Sequence, residues 1–137
     1  MVLCYWRAVT RAPLLLLIFL AAACAQTPPP TFVRGSTDFE AAAARVVTRC
    51  YRPPRVASPA KQIITRLAVR YVGDGTLLGL PEIVAQTGIT PANQPWATTV
   101  AEAARLAIIR CAPIPMPEAL AGKGASLFLT FSPRRRA

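Results

Sequence analysis

The residues with the plainest chemistry are Cys50 and Cys111. Each stands at the end of a stretch with helical character, a basic last turn and prolines just beyond. The two stretches are Ala44-Arg-Val-Val-Thr-Arg-Cys-Tyr-Arg-Pro-Pro54 and Ala104-Arg-Leu-Ala-Ile-Ile-Arg-Cys-Ala-Pro-Ile-Pro115. Two thiols can form a disulfide, remain inert in a core, or bind metal. The chain contains no histidine, and two cysteines alone do not complete a tetrahedral zinc site. No metal and no cofactor are therefore expected. Catalysis is also unsupported. There is no imidazole to act as a base, no phosphate-cradling loop and no activated-serine signature. The acids are Asp38, Glu40, Asp74, Glu82, Glu102 and Glu118. Asp38 and Glu40 suit a helix start, Asp74 suits a turn, and Glu102 stands three residues before Arg105, a surface-pair spacing. The chain reads as a protein without enzyme activity.

What the cysteines do depends on the compartment. Arg7 and Arg11 precede Leu14-Leu-Leu-Leu-Ile-Phe-Leu-Ala-Ala-Ala-Cys-Ala-Gln26, a basic region, an apolar run and small residues in the order of a secretory signal. The run from Ala12 to Ala25 is about 14 residues, against the roughly 20 of a membrane-spanning helix. A cleaved signal over 1–25 is the reading; an uncleaved anchor is the alternative. Ala23-Cys24-Ala25 fits cleavage before Gln26. Leu20-Ala-Ala-Ala-Cys24 equally resembles a lipobox that would leave Cys24 lipidated at the new N-terminus. Export to the periplasm permits disulfides. Cys4 is lost with the signal and Cys24 is lost or lipidated, so Cys50 and Cys111 remain as an even pair with one connectivity. Two buried thiols are the alternative. A bond closing about 60 residues would stabilise a small domain by roughly 4 kcal/mol in the chain-entropy model.

The elements that must position these residues follow in order. A proline-rich, extended linker covers 26–36, with Thr27-Pro-Pro-Pro30 at its centre. Thr37-Asp-Phe-Glu40 fits a capping box with Thr37 as the N-cap. Phe39, Ala42, Ala43, Val46, Val47 and Cys50 then recur on one helical face, and Pro53-Pro54 ends it. From Gln62 to Val72 the chain alternates: Ile63, Thr65, Leu67, Val69 and Tyr71 on one face, Ile64, Arg66, Ala68 and Arg70 on the other. That pattern is a half-buried strand with a wet basic face. Gly73-Asp-Gly-Thr76 is a turn. Leu77 to Ala85 reads as the returning strand, with Pro81 inside it, which puts it at a sheet edge with the Pro81 nitrogen turned outward or gives it a bulge. Gln86 to Gln94 reads as a loop. Pro95 opens a second helix with a stripe of Trp96, Val100, Ala103, Ala104, Ala107, Ile108 and Cys111. Ser126 to Phe131 is a last strand, and 134–137 a basic tail. The expected fold is α+β: a three-stranded antiparallel sheet in the order second, first, third strand, with two helices on one face.

Arg49-Cys50-Tyr51-Arg-Pro-Pro54, a strand into Gly73-Asp-Gly75, Ala103 to Pro113 around Cys111, and a last strand ending Phe131-Ser-Pro133 together resemble the C-terminal domains of the TonB/TolA envelope transducers. The two-cysteine type on the TolA side is the nearest. The resemblance spans 37–133. It implies a non-enzymatic domain that binds periplasmic or outer-membrane proteins of the Tol-system or TonB-dependent kind. It also implies that a partner segment can join a sheet edge. The chain departs from full-length transducers in lacking a convincing membrane span and a long periplasm-crossing segment. A stand-alone binding module fits better than a force transmitter.

If Pro81 spoils one edge strand, the other edge is Leu127, Phe128, Leu129, Thr130 and Phe131, with no charge and no proline to block pairing; the alternative is that the linker or a loop covers this edge, or that it simply stays short. Formal charge is +10. Once Arg7 and Arg11 are removed with the signal, 14 basic and 6 acidic residues remain, a net +8. The cations are spread over helix ends, a strand face and a tail rather than gathered with aromatics on one platform. Nucleic acid is therefore not expected as a partner, and an anionic lipid surface is the more natural electrostatic one. The competing function is a structural envelope lipoprotein held through Cys24.

Overall fold

The period-two pattern over Ile64–Tyr71 (β2) buries Thr65, Leu67, Val69 and Tyr71 and leaves Ile64, Arg66 and Arg70 exposed. The computed structural model describes residues 31–134. Its other elements are β1 (Val33–Arg34), α1 (Thr37–Thr48), β3 (Glu82–Thr87), α2 (Ala97–Cys111) and β4 (Ala125–Phe131), with short 3₁₀ turns at Ser58–Gln62, Gln94–Trp96 and Glu118–Leu120. The sheet order is β1-β4-β2-β3. β2 pairs antiparallel with both β3 and β4, and β1 pairs parallel with β4.

The order β3-β2-β4 is the one expected. The sheet, however, has four strands and is mixed, not three and antiparallel. The difference is β1, which lies in the segment assigned to an extended linker. An extended chain without prolines after Pro30 can lend its backbone to an open edge with no apolar pattern of its own, and Val33 and Arg34 are both exposed. The parallel pair is short: Val33 opposite Ala125 and Arg34 opposite Ser126. Val33 N–H donates to Gly124 O and Gly35 N–H to Ser126 O.

A second difference concerns Pro81. It is buried and lies before β3, not within it, and its carbonyl accepts from Arg105 Nε at 3.1 Å. Proline cannot donate to a ladder, so pairing starts after it. The strand accordingly extends through Gln86 and Thr87, residues expected in a loop. What interrupts the β3 edge is a bulge: Arg66 faces Ala85 and Leu67 faces Ile83, so Val84 is the unpaired extra residue.

α1 starts one residue earlier than the capping box suggested. Ser36 is the N-cap and its Oγ accepts from Phe39 N–H at 3.3 Å. Glu40 is thereby released for another use, described below. Phe39, Ala43 and Val47 are the buried positions of α1; Ala42 is exposed. α2 buries Ala97, Val100, Ala101, Ala104, Ala107 and Ile108, small residues that allow close packing. Both helices lie against the face of β2 and β4 formed by the odd-numbered residues, giving one main core. Trp96 is outside that core and packs with Ala60, Ile63 and Val100 in a smaller cluster.

The turn after β2 is closed by Asp74, whose Oδ1 accepts from Thr76 N–H at 2.8 Å; this bond holds its carboxyl below the usual range. Gly75 has φ +85°, and a Cβ there would lie 1.9 Å from Ile114 O. Only glycine fits, because Ile114 N–H donates to Gly75 O in the same contact.

Candidate functional site

A disulfide joins Cys50, just past α1, to Cys111, the last residue of α2, with the Cα atoms 5.7 Å apart. It ties the two helix ends beside Tyr51, whose ring lies 5.1 Å from that of Phe131. Neither Tyr51 Oη nor Tyr71 Oη has a partner among the described residues. Burial pushes both phenols up to about 12. Both belong to the core that supports β4.

β4 is where the expected edge residues fall. Ser126 O accepts from Gly35 N–H, and Phe128 N–H points the same way, toward Glu40 Oε1 at 3.3 Å. The even-numbered residues of β4 therefore direct their backbone groups outward, and Leu127, Leu129 and Phe131 direct theirs to β2. The side chains divide alike: Leu127, Leu129 and Phe131 are buried, Phe128 is half-buried and Thr130 is exposed. Of the five residues singled out, only Phe128 and Thr130 present anything to a partner. The other three hold the strand down. β1 stops at Arg34, so beyond Ser126 no strand of the described residues lies outside β4. Phe128 O, Thr130 N–H and Thr130 O have no hydrogen-bond partner among the described residues. Glu40 covers the one remaining outward donor, that of Phe128.

The helix-free face carries a cluster that the scattered charges of the sequence did not announce. The Arg66 guanidinium carbon lies 4.5 Å from the centroid of the Phe128 ring, and that of Arg34 lies 5.4 Å away. Both are cation–π distances. The expectation that arginines would not gather with an aromatic is corrected here. Alternation places Arg66 and Arg70 on the wet face, but only the register, with Ala68 opposite Phe128, brings the ring between them and β1. Further along, Lys61, Gln62, Ile64, Ser132 and Arg134 line a shallow depression of about 400 Å³. An adjoining groove of about 670 Å³ adds Arg55 between Pro53, Pro54 and Pro133.

Among the described residues there is no group of His, Cys, Asp or Glu arranged to hold a metal, and no helix is long and apolar enough to cross a membrane. Cys24 and the signal-like run lie outside the described residues, as do most of the linker and the end of the basic tail.

The features above define a class: a small α+β domain whose helices cover one sheet face while part of an edge and the opposite face stay open. The chain belongs to the family described as uncharacterised conserved protein UCP034077, whose model matches residues 37–136. No curated protein matches it. Among solved structures it is similar to the TonB C-terminal domain of Helicobacter pylori, determined by NMR in solution. The identity is 16%, 74% of this chain and 100% of that chain are covered, and the TM-score is 0.37.

Proposed function

We propose that this protein is an exported, non-enzymatic binding module of the cell envelope, of the TolA-like kind. It acts in the periplasm and takes an extended segment of a periplasmic or outer-membrane partner as an added strand on β4. The observation that carries this reading is the uncovered edge of β4 beyond Ser126, with Phe128 O and both Thr130 backbone groups free of partners. Such groups template a strand, and the main-chain bonds supply affinity independent of partner side chains. The sequence resemblance to two-cysteine transducer domains supports the same reading, and the signal-like N-terminus supports the compartment.

The backbone parity selects the test. Thr130→Pro removes an outward N–H and leaves the β2 ladder intact, whereas proline at Leu129 would break a bond to β2. Thr130→Pro, with its fold verified by circular dichroism, is expected to lose in-cell cross-links to its envelope partner that the native protein forms. A folded Thr130→Pro protein with undiminished cross-linking would exclude strand addition at this edge.

A further inference from the structure

The helix-free sheet face is a charged surface that strand addition at the β4 edge does not use. We infer that this face docks on an anionic phospholipid surface, with Arg34, Arg66 and Arg70 meeting headgroup phosphates around Phe128. The inference is independent of the edge: it concerns side chains that project perpendicular to the sheet.

Four observations carry it. First, Arg34 and Arg66 converge on one ring, at 5.4 and 4.5 Å, without a carboxylate in ion-pair range of either. The single ion pair among the described residues is Arg105–Glu102, on α2. Two guanidiniums set against one ring without a counter-charge attract an anion, and contact with an aromatic leaves the N–H edges of a guanidinium free for phosphate. Second, the acids near the face, Glu40 and Glu82, form no ion pair with its arginines among the described residues. Glu40 accepts from Phe128 N–H, and Glu82, opposite Ala68, is alone on β3.

Third, the positive surface continues. Ile64 stands on this face and is 43% exposed, and Lys61 and Arg134 line the depression beside it. Clusters of four to eight Lys or Arg on one surface are the electrostatic footprint of anionic-lipid binding. Fourth, the cations spread in two dimensions, over β1, β2 and both ends of the sheet, with exposed apolar side chains among them. A plane of phosphates over an apolar interior complements that layout. A nucleic-acid strand would call for successive stacking rings, and the face offers one.

The test uses the protein as recovered from expressing cells, with vesicles of phosphatidylcholine alone or mixed with an equal amount of phosphatidylglycerol. Any apolar or lipid anchor contributes equally to both. Native protein is expected to prefer the anionic vesicles, and to lose that preference in high salt. Each arginine removed from the face is expected to lower the affinity about fivefold, so Arg66→Gln/Arg70→Gln loses about 25-fold. Arg34→Gln alone, at the edge of the sheet, loses about fivefold and serves if the double variant fails to fold. Arg45→Gln/Arg110→Gln removes the same charge from exposed helix positions and is expected to lose much less. Equal binding of native protein to the two vesicles would overturn the inference. So would a folded face variant that binds like the native protein, or a helix-position variant that loses as much. Tighter capture of polyglutamate or a single-stranded oligonucleotide than of anionic vesicles would reassign the face and overturn it too.

Discussion

Removing the cross-link between the two helix ends is the most quantitative perturbation the structure offers. The bond joins residues 61 apart in sequence. In the chain-entropy model a loop of that length restricts the unfolded chain by about 4 kcal/mol at 25 °C. Cys50 and Cys111 are both half-buried, so replacing each sulfur by hydrogen in Cys50→Ala/Cys111→Ala removes little packing by comparison. Domains of this size are stable by about 5–15 kcal/mol in all, so the loss is a large fraction of the total. The assay is urea unfolding of the native protein and the double variant, followed by circular dichroism. The variant is expected to lose about 4 kcal/mol and to melt roughly 15–30 °C lower. Its m-value is expected to be larger, because an unlinked unfolded chain exposes more surface. The native protein with reductant should behave like the variant. A loss under about 1 kcal/mol with an unchanged m-value would refute the account of a constrained unfolded state. Free thiols at Cys50 and Cys111 in the unfolded native protein, without reductant, would refute the bond itself.

Further expectations follow from single sites. Tyr51 and Tyr71 titrate near 12 when folded, against the ordinary 10.0. Between these values the unfolded chain binds fewer protons, so stability is intact below pH 10 and falls as pH rises toward 12. The loss is on the order of a few kcal/mol for the pair across that window, readable as a falling urea midpoint. Tyr71→Phe should remove its share of that alkaline loss. It should also stabilise the neutral protein by about 1 kcal/mol, because the hydroxyl is buried without a partner. Gly75→Ala brings a methyl against Ile114 O at positive φ and is expected to cost about 3 kcal/mol in the same assay. Ser36→Ala removes the α1 N-cap and should cost about 1 kcal/mol, while Thr37→Ala should cost much less.

The core was readable because it rests on period. The alternation over 64–71 determines which face of β2 is buried. The helical spacing of Phe39, Ala43 and Val47, and of Val100, Ala104, Ala107 and Ile108, determines which stripes cover it. The cysteines were readable as a pair because the other two, Cys4 and Cys24, fall in the signal-like stretch at the N-terminus. Three features were not readable, each for a physical reason. β1 joins the sheet through backbone alone, and two exposed residues carry no pattern. Pro81 stands outside β3 because it cannot donate to the ladder, and the contact of its carbonyl with Arg105 is invisible in the sequence. The cluster on Phe128 depends on register between β2 and β4, which is a long-range quantity. The candidate edge was half readable: the lack of charge and proline in 127–131 was plain. That only Phe128 and Thr130 face outward follows from hydrogen-bond parity.

The Glu40 carboxylate on Phe128 N–H makes the β4 edge an exchange site rather than a vacant one. An arriving carbonyl that takes this donor only replaces one acceptor by another, so the first contact brings no net gain. On the strand-addition proposal, affinity would begin with the contacts beyond the first, at Phe128 O and the two Thr130 groups. If β4 takes a partner strand as proposed, the edge would therefore discriminate by length. A stray loop that offers a single carbonyl has no advantage over the resident carboxylate, while an extended segment of a few residues does. On the strand-addition proposal, a side chain from the first turn of α1 would thus set the minimum size of what can pair with the sheet.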